Sequence, residues 1–183
     1  MGGRIGVLVS GDGSNLQALL DAGLPVVAVA SNVAGVRALA RARTARVPAA
    51  VFCLEDHADR DGRDAAMAGW LESQGVDLVV SAGYMQLLRP VFLDRFPGRV
   101  VNVHPALLPA FPGAHAVEDA IAAGARETGA SVHVVDAGVD TGPVLRQEPV
   151  PVLPGDTIET LHARIRAVEH RILPEVVREL IEA

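Results

Sequence analysis

Apolar runs of strand length alternate with helical patterns along nearly the whole chain, and each run closes in Gly, Ser, Asn or Pro. No other feature restricts the fold as strongly, because that alternation is the rhythm of βαβ units. Strands are expected over Ile5 to Ser10, Val26 to Ala30, Ala49 to Leu54, Asp77 to Ser81, Val100 to His104, Ala130 to Asp136 and Pro143 to Val150. Helical patterns cover Asn15 to Ala22, Val36 to Arg46, Arg60 to Gln74, Pro90 to Phe96, Ala116 to Ala123 and Thr157 to Glu182. Pro174 is expected to kink the last helix or to open a new segment. The first four strands are continuous Val, Leu and Ala runs, which predicts burial on both faces of a parallel sheet. The expected class is α/β: a mostly parallel, twisted sheet of about seven strands with helices on both faces.

At 183 residues the chain is close to the ~150-residue mode for one domain, and no linker or repeat divides it, so residues 1–183 are read as one unit. No apolar run approaches the ~20 residues needed to cross a bilayer. The N-terminus leads straight into an apolar strand without the basic segment and cleavage site of a signal peptide, so a cytoplasmic location is expected. Sixteen basic residues stand against 22 acidic ones, a net charge of -6, and no stretch gathers the basic ones into a stripe. Nucleic-acid and acidic-membrane partners are therefore not expected. All of the basic residues are arginine, which removes Schiff-base chemistry and the Walker A lysine together. The one cysteine, Cys53, lies in the run Ala50 to Leu54 and reads as core.

In a parallel sheet, ligands bind beyond the carboxyl ends of the strands, and the informative residues do fall in those loops. Ser10-Gly11-Asp12-Gly13-Ser14-Asn15 follows the first strand and opens a helix, where backbone N–H groups can cradle a phosphate, with Ser14 or Asn15 as the expected N-cap. It departs from the dinucleotide fingerprint, whose third glycine is here Leu16 and whose acidic residue after the second strand is absent. A capped turn without a ligand is the plainer alternative. Asn102 and His104 are two apart on a strand and share a face, while Pro105 keeps His104 extended. An amide donor and an imidazole aimed at one point suit a carbonyl oxygen that becomes anionic under attack. Asp140, in the glycine-rich loop Asp136 to Gly142, is placed to reach a histidine and raise its basicity, although a plain turn residue is the alternative. Asp-Thr-Gly also occurs in aspartic proteases, but that chemistry needs two such carboxylates on an all-β scaffold. His133 and His115 read equally well as structural histidines. His57, His162 and His170 have no partner visible from spacing, and the histidines show no metal-ligand spacing. Arg166 and Glu169, three apart on the last helix, read as a solvated salt-bridge face.

Taken in order, these loops are Gly11 to Gln17, Ala82-Gly83-Tyr84-Met85, Asn102 to Pro105 with Leu107-Leu108-Pro109, Phe111-Pro112-Gly113, and Asp140 to Pro143. The set resembles the folate-dependent phosphoribosylglycinamide formyltransferases of purine synthesis, from about residue 4 to about residue 174. The resemblance implies a Rossmann-like fold, 10-formyltetrahydrofolate as co-substrate, no metal, and formyl transfer to the amine of glycinamide ribonucleotide. By position it implies that Asn102, His104 and Asp140 are catalytic, that Gly13, Ser14 and Asn15 bind the ribonucleotide phosphate, and that Glu169 touches the ribose. It implies a folate pocket lined by Met85, Gln86, Leu87 and Leu88, helped by Arg60 and by Asn102. The family commonly has arginine where this chain has Gln86, which predicts folate binding weaker by ~1.5 to 3 kcal/mol unless Arg60, Arg63 or Arg89 compensates.

A formyl-folate hydrolase, or a formyltransferase for another amine, would use the same Asn102, His104 and Asp140. The second or regulatory domains usual in such relatives are not evident in the sequence. A catalytically silent nucleotide-binding module using only Gly11 to Asn15 is the alternative from another class. A monomer or homodimer is expected.

Overall fold

The computed structural model describes residues 3–183. Strands β1 (Ile5–Val9), β2 (Val26–Ser31), β3 (Ala49–Val51), β4 (Leu78–Ser81), β5 (Val100–His104), β6 (Glu127–Val134) and β7 (Val144–Pro151) form one sheet in the order β3-β2-β1-β4-β5-β6-β7. Strands β3 through β5 in that order are parallel, while β6 and β7 are antiparallel additions to one side. The chain works outward from β1 to β3 and then returns to lay β4 on the other side of β1. That reversal opens a crevice beyond the carboxyl ends of β1 and β4.

Helices α1 (Ser14–Asp21), α2 (Arg37–Thr44), α5 (Ala116–Ala122) and α6 (Ile158–Glu182) bury side chains on one face, with Ile5, Val7, Val80, Val101 and Val103 of the sheet. Helices α3 (Arg60–Ser73) and α4 (Pro90–Leu93) cover Leu8, Ala28, Val79 and Val100 on the other. Along β5 the parity of Val100 passes to Asn102 and His104, so both lie on the α3 side, beyond the last residue that those helices cover. Two polar side chains are thus left at a strand end with no helix over them.

The expected elements are all present, with ends displaced by a few residues. Four details differ from the sequence reading. β3 is an edge strand whose Val51 is 40% exposed, and Cys53 just after it is half-buried rather than core. Neither Ser14 nor Asn15 caps α1; the cap is Gly13 at φ 76° without a side-chain bond. A side chain there would be both strained and within 2.6 Å of Ala38 Cβ, so the close approach of α2 to this loop requires glycine. Finally, α6 runs unbroken through Pro174, which is buried and surrounded by the core contacts of Ile172, Leu173, Val176 and Val177. Thr157 caps that helix, accepting from Thr160 N while Thr160 Oγ1 accepts from Thr157 N.

Candidate active site

A cavity of about 490 Å³ occupies the crevice at the strand reversal, bordered by the loops after β1, β4, β5 and β6 and by α6. Its chemical centre is built from two neighbouring strands. Antiparallel pairing of β5 with β6 sets Asn102 directly opposite His133 and His104 opposite Ser131. Asn102 Nδ2 lies 3.2 Å from His133 Nε2, and His133 Nδ1 lies 3.0 Å from the Val134 carbonyl oxygen. A carbonyl only accepts, so Nδ1 carries the proton in that bond, and Nε2 is the ring nitrogen turned toward the Asn102 amide.

His104 is 4% exposed. Its Nε2 donates to the Phe111 carbonyl oxygen at 2.7 Å, and its Nδ1 faces Asp140 Oδ2 at 3.4 Å. The second contact is an ion-pair distance rather than a hydrogen bond, so Nδ1 is the ring nitrogen that remains able to serve a ligand. Asp140 Oδ1 stands 3.4 Å from His133 Nε2, and Oδ2 accepts from Gly113 N at 2.8 Å. The His133 contact, the Gly113 N–H and the charge of His104 together hold the Asp140 carboxyl below its ordinary range, against the opposing effect of burial. Asp140 (φ 53°) and Phe111 (φ 51°), the two residues that flank the His104 ring, both lie in the left-handed region that non-glycine residues rarely adopt. Gly142 secures the Asp140 loop, since a Cβ there would strike the Val134 carbonyl oxygen. Behind the loop that follows His104, buried Ser131 Oγ donates to Ala106 O and accepts from Leu108 N.

At the other end of the cavity, Asn15 Nδ2 donates to Glu169 Oε2 at 3.0 Å, which joins the start of α1 to α6. Burial pushes the Glu169 carboxyl above its ordinary range, opposed by Asn15 and by the charge of Arg166. The loop after β4 forms the wall between the two ends. Ser10 Oγ accepts from Met85 N at 2.9 Å, and Asp64 Oδ2 accepts from Arg89 N at 2.8 Å, so the segment is pinned at both ends. Met85 (59%) and Leu87 (54%) are exposed between those pins, an apolar surface available to a flat ligand.

Residues 3–177 match the family model described as formyl transferase. The chain belongs to the formyl transferase family. It is 52% identical over 181 residues to the phosphoribosylglycinamide formyltransferase of Mycobacterium tuberculosis, covering 97% of this chain and 84% of that protein. Among solved structures, glycinamide ribonucleotide transformylase 1 from Symbiobacterium toebii superposes with a TM-score of 0.96 at 49% identity, covering 98% of this chain and 87% of that one. The phosphoribosylglycinamide formyltransferase from Streptococcus pneumoniae gives 0.94 at 43% identity, covering 98% and 99%.

Of the residues named from the formyl transferase resemblance, Asn102, His104, Asp140, Gly13, Ser14, Asn15, Glu169 and Met85 to Leu88 all border this one cavity. Arg60 does not. It is an exposed residue of the first turn of α3, whose N-cap is Asp59, and that helix enters the core only from Arg63 onward. Arg63 is 1% exposed and bound to Asp64, so it is not free to replace the arginine that Gln86 displaces, while Arg89 is held only in an exposed pair with Asp61. His133, His162 and Arg166 also line the cavity, and the sequence reading had given none of them a role there. The period of α6 places His162, Arg166 and Glu169 on one face, a signal that was present in the spacing. Among the described residues no cluster of His, Cys, Asp or Glu could hold a metal ion, and no helix is long and apolar enough to cross a membrane.

Proposed function

We propose that this chain transfers the formyl group of 10-formyltetrahydrofolate to the primary amine of glycinamide ribonucleotide, in the cytoplasm, as a monomer or homodimer whose residues 1–183 form one catalytic domain. The observation that carries the reading is the pairing of His104 with Asp140 beside Asn102, in a cavity that reaches from the apolar Met85 to Leu88 wall to the start of α1. The curated relatives named for this reaction span nearly the whole chain.

In this mechanism the amine attacks the formyl carbon, and its oxygen becomes a tetrahedral oxyanion. The Asn102 amide and the Nδ1 N–H of protonated His104 stabilise that oxygen. Asp140 sustains the charge on His104 and orders a water that carries the proton lost by the attacking nitrogen. Collapse breaks the bond from the formyl carbon to the folate nitrogen, which gains a proton as it leaves. Gly13, Ser14 and Asn15 hold the phosphate at the α1 N-terminus, where N–H groups lack helical partners. Glu169 accepts from the ribose, and Met85 to Leu88 with Asn102 receive the folate.

The test is formyl transfer by the purified protein, followed by folate absorbance, with a control lacking amine. Turnover that requires the ribonucleotide supports the transferase. Deformylation without it identifies a hydrolase, and silence in both arms overturns the catalytic reading.

A further inference from the structure

One row of side chains crosses three strands beside the active site. His104 of β5 stands opposite Ser131 of β6, and Ser131 stands opposite Gln147 of β7, the outermost strand. His104 lines the cavity, whereas Gln147 is not among the residues that border it.

Ser131 is buried, and its hydroxyl is fully used. Its one hydrogen goes to Ala106 O at 2.6 Å, and its oxygen accepts from Leu108 N at 3.1 Å and from Gln147 Nε2 at 2.9 Å. Gln147 Nε2 spends its other hydrogen on Leu108 O at 2.7 Å, and a carbonyl only accepts, so the amide faces this way with its nitrogen inward. Among the described residues no other group donates to Leu108 O. Both ends of the turn Ala106 to Leu108 are thus tied to β6 and β7, directly after His104 and Pro105. The fit beneath the turn is close: a Cβ on Gly129 of β6 would stand 2.6 Å from Leu107 Cδ2.

The next turn carries the group that orients His104. Ala110 N donates to Leu107 O at 3.0 Å, and the following residue, Phe111, presents the carbonyl that accepts from His104 Nε2 at 2.7 Å. Phe111 has a φ of 51°, a conformation that a non-glycine residue keeps only where its surroundings impose it. On its far side the loop is held by Gly113 N on Asp140 Oδ2, and on its near side by the Ser131–Gln147 clamp. The Phe111 carbonyl keeps the proton of a neutral His104 ring on Nε2, whereas Asp140, 3.4 Å from Nδ1, draws it to the other nitrogen. A displaced carbonyl therefore changes both the angle of the ring and the nitrogen that bears the proton.

We infer that Gln147 is a positioning residue for formyl transfer: from the edge strand, its amide fixes the loop that brings the Phe111 carbonyl to the imidazole of His104. Its part in turnover rests on the function proposed above. Its part in orienting His104 does not.

Gln147→Met keeps the length of the side chain and removes both donors, while Gln147→Glu keeps the shape and turns an oxygen toward Leu108 O. Steady-state formyl transfer is expected to show kcat lower by about 10- to 100-fold in each, the effect of a reacting group misplaced by about 1 Å, with KM for the ribonucleotide within about twofold. Proton–nitrogen correlation spectra are recorded in mildly alkaline solution, where an imidazole is neutral, and His104→Gln assigns the signal. They are expected to show His104 protonated on Nε2 in the unaltered protein and a mixture of tautomers in both variants. Gln147→Met introduces no charge and carries the test alone if Gln147→Glu does not fold. A kcat within about twofold of the unaltered protein in folded Gln147→Met overturns the inference. So does a lowered kcat with His104 still protonated only on Nε2, since the loss would then bypass the ring. If the unaltered protein transfers no formyl group, the proposed function fails, and the spectra alone decide whether Gln147 orients His104.

Discussion

The amide nitrogen of Asn102 is held 3.2 Å from Nε2 of His133, its partner across the β5–β6 ladder, so the orientation of one proposed oxyanion donor is set by a second histidine that also faces Asp140. That makes His133 a positioning residue. His133→Ala leaves the Asn102 amide free to rotate, and misplacement of a reacting group by about 1 Å can cost ~100-fold in rate. Steady-state kinetics should show kcat lower by about 10- to 100-fold and a raised KM for the formyl folate, which Asn102 also receives, with KM for the ribonucleotide nearly unchanged. His133→Gln, which retains an acceptor, should recover part of kcat, and its failure to do so would count against orientation as the role.

Asp140 carries a pH-dependent consequence. Its carboxyl titrates lower in the folded protein than in the unfolded chain, so it stabilises the fold above the unfolded value of about 3.9, and that contribution is lost as pH falls toward the folded value. Asp140→Asn removes it. Urea unfolding should find the variant less stable than the unaltered protein at pH 7, with the gap closing as pH is lowered through the acid range. A gap that widens in acid would contradict the sign. The same variant should lose about 100- to 10,000-fold in kcat, the range for a lost proton-transfer group.

The shared face of Asn102 and His104 was legible because a strand has a period of two, whereas the loop around Asp140 left a plain turn residue open and only the family resemblance singled that carboxylate out. His133 was not legible as a partner. Its role depends on β6 running antiparallel to β5 in one register, and that long-range pairing leaves no trace in local spacing. The run at β3 misled for a related reason: Ala49, Ala50 and Val51 suit a central strand or an edge equally well, and position in the sheet is decided by the order of the other strands. On α6 the helical period was visible, yet Arg166 and Glu169 read as a solvated pair until α1 was seen packed against them.

Glu169 should show stability traded for binding. Burial holds its proton on to a higher pH in the folded state, so the stability it contributes is complete below the unfolded value of about 4.3 and is lost as pH rises through the folded one. Glu169→Gln keeps an acceptor for Asn15 and has no charge to desolvate. The variant should resist urea better than the unaltered protein at pH 8, equal it near pH 4, and bind glycinamide ribonucleotide more weakly. Lower stability at pH 8 would mean that the ionised carboxylate is well compensated in the fold.

Gln86 stands in the folate wall without a charge of its own, and the nearby Arg63 is buried against Asp64. Gln86→Arg should therefore tighten folates that carry a glutamate tail by about 10-fold or more, with no effect on a tail-less analogue. Fluorescence titration with the two ligands checks this, and equal affinities before and after substitution would remove the contact from the account.

The buried pair behind that wall couples stability to the site. Asp64 is 0% and Arg63 1% exposed; Asp64 Oδ1 accepts from Arg63 Nε and Nη2, while Oδ2 accepts from Arg89 N at the end of the folate segment. Tyr84 lies in the same environment, and burial pushes its hydroxyl up to about 12. Asp64→Ala strands the Arg63 guanidinium without its counter-charge and should cost about 3–5 kcal/mol, because an uncompensated buried charge is worse than no charge at all. Arg63→Met with Asp64→Ala removes both charges and should be markedly more stable than Asp64→Ala alone. In both variants Arg89 N loses its acceptor, so hydrogen exchange at Met85 to Arg89 should accelerate and KM for the formyl folate should rise, while KM for the ribonucleotide stays near its original value. If the double variant restored the folate KM together with stability, the Arg89 bond would not be what positions the segment.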